Sequence, residues 1–316
     1  MPAAVGLVEV GPRDGLQSLP EVFSTEVKVE LIEAIVDSGV RAIEAVSFAH
    51  PKVLPQLADA EQVMARLRKR AGVVYRGLVP NLKGAARAAA CGVDEMVCLV
   101  SCDDEINLIN QGMDVEATLR SIEDIAALAD RQNVALSAVV ALAFFIPGRG
   151  LTPYRQLFAV CKRLAGMGIR RLSLAASAGM ADPKNVFAVV RRMRADLPEV
   201  SLGLHLHNRN GMALANAFAG MSAGAEWFEG SILGIGGDAW FPGELLGNAP
   251  MEDLVHMMQS MGVATGVDLE HYLAVARRAE VLLERSSVAF VMRGGTRDAL
   301  ARHRWSSTDG KDGGKP

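Results

Sequence analysis

"VEVGPRDGLQ", residues 8–17, decides the fold. An apolar, strand-like run stops at Gly11-Pro12 and is followed by a cation and an anion side by side, Arg13 and Asp14. A doubly wound open sheet, the alternative α/β architecture, would put a glycine-rich phosphate turn after its first strand. No such turn follows here. In a barrel of parallel strands, by contrast, charged residues at the C-terminal strand ends line the active site. Taken alone, Arg13-Asp14 also suits a salt-bridged surface turn.

The rest of the chain repeats the strand-then-helix rhythm. Strand-like runs occur at 6–10, 41–48, 73–79, 95–101, 135–144, 170–177, 201–208 and 227–235. Between them lie amphipathic stretches such as "TEVKVELIEAIVDSG", "VEATLRSIEDIAALADRQN", "YRQLFAVCKRLAGMG", "PKNVFAVVRRMRADLP" and "GMALANAFAGMSAG", with apolar residues at helical spacing. Eight strands alternating with helices predict a (β/α)8 TIM barrel, an architecture of about 250 residues. The 316-residue chain is expected to place that barrel at 1–250, C-terminal helices packed on it at 251–302, and a polar, glycine-rich disordered tail at 303–316.

Composition narrows the function. Charged residues make up 22%, the net charge is −3 and the pI is about 6.1, so there is no electrostatic footprint for nucleic acid or an anionic membrane. The longest apolar run, "ALSAVVALAFFI" at 135–146, falls short of the roughly 20 residues of a membrane span. The N-terminus lacks the basic region of a secretory signal, so no removable segment is expected. Cys91, Cys98, Cys102 and Cys161 form neither a CxxC pair nor a disulfide framework, which fits reduced thiols in a cytoplasmic protein and argues against structural zinc. "GIGGDAWFPG" lacks the following helix and downstream acid of a nucleotide site.

The chemistry concentrates at the predicted strand ends. His205 and His207 end the seventh strand, and a period of two puts both imidazoles on one face. The eighth strand closes against the first, so Asp14 and the histidine pair flank it, and the loop after it supplies a fourth candidate, Asn248. Two imidazole nitrogens, a carboxylate and an amide oxygen suit Mg²⁺ or Mn²⁺ with open positions for substrate.

These residues carry a family resemblance. "VEVGPRDGLQ", "IEAVSFAHPKVLPQLADAEQV", "VPNLKGAARAAACGVDE", "HLHNRNGMALANAFAGMSAGAEWFEGSILGIGGD" and "GNAPMEDLV" resemble successive blocks of the 3-hydroxy-3-methylglutaryl-CoA lyase family, within the metal-dependent TIM-barrel lyases and condensing enzymes that include isopropylmalate synthase. The resemblance implies that Asp14, His205, His207 and Asn248 hold a divalent metal, that Arg13 stabilises the enolate formed when the carbon–carbon bond breaks, and that Glu44 supports metal and arginine; His205 is further expected to assist proton transfer as a ligand. It implies an acyl-CoA substrate and a homo-oligomer, expected as a dimer.

The pattern also departs from the family. Its loop cysteine after "GLGG" is replaced by Asp238 after "GIGG", in a loop one residue longer. The "GDT" of strand six becomes Ala175-Ala176-Ser177, the Cys-Pro-Tyr after strand five becomes Ile146-Pro147-Gly148, and Asn208 stands where Asp is usual. Asp238 is a candidate proton donor, because an apolar loop favours the neutral form of a carboxylic acid; as an alternative it is an ordinary turn residue. Cys102 could supply a thiol, or be a small buried side chain. The expected activity is retro-Claisen cleavage of a 3-hydroxy-acyl-CoA such as 3-hydroxy-3-methylglutaryl-CoA or a relative. The alternatives are a condensing enzyme of the same superfamily and a non-catalytic, metal-binding scaffold.

Overall fold

The computed structural model describes residues 1–237 and 247–303. Among these, eight parallel strands close into a barrel: β1 (Gly6–Glu9), β2 (Ala42–Ser47), β3 (Val74–Leu78), β4 (Glu95–Ser101), β5 (Ala135–Ala141), β6 (Arg171–Ala176), β7 (Ser201–Leu206) and β8 (Trp227–Gly230). β1 pairs with β8 through Gly6↔Trp227 to Glu9↔Gly230, and β8 pairs with β7 through Glu229↔His205. The expected neighbours of Asp14 are therefore adjacent in the barrel.

Local sequence sets the helices between strands. In Thr25–Asp37, Leu31, Ile32, Ile35 and Val36 form the buried face, and the Ser24 side chain accepts the Val27 amide at the N-terminus. Asp114 and Asp182 cap Val115–Gln132 and Pro183–Asp196 in the same way.

Among the described helices between strands, three escaped the periodicity: Ala60–Arg66, Leu82–Ala90 and Asp104–Gln111. Their buried faces are short or built of small residues, such as Gly84, Ala85 and Ala88 in the second. A Cβ at Gly84 would lie 3.0 Å from the Phe48 carbonyl, so this helix approaches the chain leaving β2 closely because its residues are small.

Two strands are shorter than their apolar runs. β5 ends at Ala141, where Leu142 takes φ 57° and leads into a small hairpin pairing Phe145–Ile146 with Gly150–Leu151. β8 ends at Gly230, and a 3-10 turn at Ile232–Gly234 follows, with Leu233 at φ 59°. Apolarity measured burial in both runs, and the turns left no trace in it.

After the barrel, Met251–Ser260 and Leu269–Leu282 bury Leu254, Val255, Met258, Tyr272, Val275 and Ala276 in the same apolar core as the barrel helices. Among the described residues no helix is long and apolar enough to cross a membrane.

Candidate metal and catalytic centre

The turn after β1 is wound tightly around one carbonyl. The Val10 oxygen accepts the amides of Arg13, Asp14 and Gly15 at 3.1, 2.7 and 3.2 Å. Glycine is needed on both sides: a Cβ on Gly11 would meet Glu9 Oε1 at 2.6 Å, and one on Gly15 would meet the Ile235 side chain at 2.6 Å. Arg13 and Asp14 are 6% and 8% exposed, which sets aside the surface-turn reading.

Each charge has a fixed partner. Arg13 Nε donates to Glu44 Oε1 at 2.5 Å and Nη1 to Asp14 Oδ1 at 2.6 Å. β2 shifts register against β3 between Glu44 and Val46, a bulge next to the site. Asp14 Oδ1 also accepts from Gln17 Nε2 at 2.9 Å, and Asp14 Oδ2 accepts from Asn248 Nδ2 at 2.7 Å. Asn248 arrives through a backbone bridge to His207. Its Oδ1 is buried and has no hydrogen-bond partner among the described residues.

The two imidazoles meet at their Nε2 atoms, 3.0 Å apart, and His205 Nε2 lies 3.9 Å from Asp14 Oδ2. His205 Nδ1 is engaged by Glu229 Oε2 at 2.8 Å. One ligand atom each from Asp14, His205 and His207 lies within 4.8 Å of the others, in an arrangement able to hold an ion.

Electrostatics prepare the same donor set. Burial alone would raise Asp14, but Arg13 and the histidines outweigh it and bring its pKa down to about 2. Burial and then the neighbouring His205 lower His207 to about 4, so it is neutral at ordinary pH. Burial would lower His205, yet the hydrogen bond and charge of Glu229 raise it. Burial would lower Arg13, and Glu44 and Asp14 more than offset it.

The site fits a divalent cation on its own evidence. The two Nε2 atoms lie 3.0 Å apart, close enough to share an ion in place of the contact between them, and the buried Asn248 Oδ1, without a partner among the described residues, supplies a further oxygen donor. A buried acceptor left unpaired costs free energy unless a ligand satisfies it.

Arg13, Asp14, Glu44, His205, His207 and Asn248 are thus brought together, while Asp238 lies outside the described residues. Cys102, at the end of β4, is 2% exposed, and burial raises its pKa well above the usual thiol range. It is a small buried side chain, as the alternative had it.

Sequence reasoning missed Glu229, Arg76 and Glu9. Glu229 and Arg76 are buried inside the barrel with Arg76 Nη1 3.1 Å from Glu229 Oε1. Glu9 Oε1 accepts the amides of Gly11 at 2.7 Å and Ile232 at 2.9 Å, and Tyr272 donates to Oε2. The signal was present as an isolated charge inside each of "WFEG", "VVYRG" and "LVEV", where a buried strand tolerates one only if it is paired.

The HMGL-like family model matches residues 4–278. The chain is 34% identical to hydroxymethylglutaryl-CoA lyase YngG of Bacillus subtilis over 279 residues, 88% of this chain and 93% of that protein. It is 32% identical to (R)-citramalyl-CoA lyase of Chloroflexus aurantiacus over 302 residues, 92% and 95% of the two chains. An HMG-CoA lyase from Acinetobacter baumannii, solved in complex with coenzyme A and 3-methylmalate, has a TM-score of 0.90 at 32% identity, covering 96% of this chain and 98% of that one.

Proposed function

The chain belongs to the HMGL-like family, and from that premise we propose that it is a carbon–carbon lyase cleaving the CoA thioester of a 3-hydroxy acid by retro-Claisen chemistry. The observation that carries the reading is the convergence of Arg13, Asp14, His205, His207 and Asn248, whose Oδ1 has no partner among the described residues, at the C-terminal mouth of the barrel. Asp14, His205, His207 and Asn248 would hold Mg²⁺ or Mn²⁺. When bound, the ion would supply Lewis-acid polarisation of substrate oxygens.

The C3 hydroxyl gives its proton to water at the open site, the C2–C3 bond breaks and its electron pair stays on C2 as a thioester enolate. A proton on C2 then completes the acyl-CoA product, and C3 leaves as a ketone. Arg13 meets the enolate oxygen: Glu44 and Asp14 fix Nε and Nη1, so the planar fork is set before charge develops.

His205 is a candidate for both ligation and proton transfer, and the two roles compete. Glu229 engages Nδ1, so both depend on one lone pair at Nε2. Ligation is favoured by the proximity of Asp14 and His207. The candidate donors of the proton on C2 are Asp238 and a water at the site.

The strand-six aspartate and the aromatic hydroxyl after strand five are replaced here, and each positioned donor contributes about 10²–10⁴-fold to proton transfer. A relative of 3-hydroxy-3-methylglutaryl-CoA is therefore the expected substrate, and a citramalyl-CoA thioester belongs in the test set. Steady-state assay of 3-hydroxy-3-alkylglutaryl-CoA and citramalyl-CoA thioesters with Mg²⁺ or Mn²⁺ checks this. Cleavage at about 1–10³ s⁻¹ on one relative, and slower on the methylglutaryl thioester, is expected. No cleavage of any thioester by a chain that binds the metal would leave the scaffold reading in its place.

A further inference from the structure

We propose that Glu229, held by Arg76, is a positioning residue that fixes neutral His205 as its Nδ1–H tautomer and so keeps the Nε2 lone pair directed at the ion site. This rests on the reading of His205 as a cation ligand and adds the groups that make it one.

The two oxygens of Glu229 are divided between two donors. Oε2 lies 2.8 Å from His205 Nδ1, and Oε1 lies 3.1 Å from Arg76 Nη1. Arg76 is fully buried and anchored from two further strands, by Glu95 Oε1 at 3.0 Å and Ser137 Oγ at 3.1 Å. Ser137 Oγ in turn donates to Glu95 Oε1 at 2.5 Å. Trp227 packs its ring 5.5 Å from the guanidinium. Arg76 has little room to move, so the orientation of the Glu229 carboxylate is set from below.

A guanidinium has donors and no acceptor. Whatever faces Arg76 must accept, and whatever faces a lone pair on Nδ1 must donate. A carboxylate offers an acceptor to each neighbour, which requires the neutral imidazole to carry its proton on Nδ1. Carboxylate partners of ligating histidines set the tautomer in this way.

An isosteric amide would reverse the arrangement. In Glu229→Gln the amide oxygen must face Arg76, which places the NH₂ against Nδ1. Nδ1 is then satisfied only as an acceptor, and the ring proton moves to Nε2, where it blocks the ion. Adding Arg76→Met removes the group that dictates the amide's orientation, lets the oxygen turn to Nδ1 and returns the proton there.

Long-range ¹⁵N–¹H spectra of histidine-labelled, metal-free protein at alkaline pH report the tautomer, and calorimetric titration with Mn²⁺ reports the site. The wild-type chain is expected to show Nδ1–H at His205. Glu229→Gln is expected to show Nε2–H and to bind Mn²⁺ about 10–100-fold more weakly. Glu229→Gln with Arg76→Met is expected to recover Nδ1–H and a large part of the affinity. A packing defect does not predict that recovery, because the second substitution removes another buried partner.

Three results overturn the proposal: neutral His205 as Nε2–H in the wild-type chain, folded Glu229→Gln retaining Nδ1–H, or a double variant binding no better than the single. The wild-type spectrum decides even if a variant fails to fold. A wild-type chain that binds no Mn²⁺ sinks the cation reading instead, and the tautomer spectra still judge Glu229.

Discussion

The inside of the barrel has two unlike halves. On β2, β1, β8 and β7, which are contiguous in the ring, the upper interior is charged: Glu44, the Arg13-Asp14 turn, Glu229 and His205. On β3 to β6 the corresponding layer is apolar, and Leu78, Val97, Leu99, Val139 and Ala175 form a separate cluster. Strand alternation puts them on the same inward face as Arg76, Glu95, Ser137 and Ser173 below them. The charged half is cross-linked by directional bonds between neighbouring strands and has little freedom to vary. The apolar half constrains volume, which many side-chain combinations satisfy. Two of the departures that the resemblance marks lie at the ends of strands on this side: Ala176, which alternation turns away from Ala175 into the outer core, and Ile146-Pro147-Gly148 in the hairpin after β5. On the proposed function, the expectation is that the charged half serves the reaction and the apolar half meets the acyl group.

The sharpest test of that division removes a ligand. Asp14→Ala and His207→Ala are expected to abolish Mg²⁺ and Mn²⁺ binding in calorimetric titration and to reduce cleavage at least about 10³-fold, the scale on which a group that stabilises developing charge contributes. The fold is expected to persist by circular dichroism, since these side chains lie outside the apolar core. Unchanged metal affinity in Asp14→Ala would remove the turn after β1 from the site.

A smaller effect is expected within the charged half. Arg13→Lys keeps the positive charge beside Glu44 and Asp14 but loses the planar fork. The expected outcome is a fall of about 10²-fold in kcat, with Mn²⁺ affinity changed only a few-fold. Equal losses in both would mean that Arg13 serves the ion and not the oxyanion.

The opposite half is tested at Leu99, which is only partly buried at the mouth. Leu99→Ala is expected to shift the ratio of kcat/KM between 3-ethyl and 3-methyl thioesters about tenfold towards the larger group, the scale on which a methylene is discriminated. Its Mn²⁺ affinity should not change. A loss of metal binding with no change in preference would erase the distinction between the halves.

The same contrast governs what the sequence could reveal. Strand count, barrel order and the pairing of Asp14 with the HxH strand were legible because period two acts within each strongly apolar run and eight parallel strands close in a fixed order. Glu44 and Arg13 were legible through the resemblance. Glu229, Arg76 and Glu9 were not, because a single charge in an apolar strand does not name its partner, and these partners lie 24 to 263 residues away in sequence. The turn at Leu233 was hidden by its own apolarity.

The smallest expected effect concerns what holds the charged half in place. Glu9 ties Gly11 to Ile232, and Glu252 Oε1 accepts the Leu233 amide at 2.7 Å, so two buried carboxyls hold the turn after β1 and the turn after β8 together. Burial raises Glu9 to about 7 and Glu252 to about 8, with the neighbouring Glu9 also raising the latter. Above the unfolded value of about 4.5 the native state then holds more protons than the unfolded chain, so stability falls as pH rises. For Glu252 the loss should run from about pH 4.5 to about 8 and then level off. Asp14 behaves oppositely: its pKa is lowered, and its contribution is lost only as pH falls towards 2. The melting temperature is thus expected to drop by a few degrees between pH 6 and pH 9, and Glu252→Gln, which keeps the shape and the acceptor for Leu233, should flatten part of that drop. Leu99→Ala, on the apolar half, should melt with the wild-type pH slope. If Glu252→Gln keeps the full wild-type slope, the carboxyl is not protonated in the native state and the support under the charged half is not pH-sensitive.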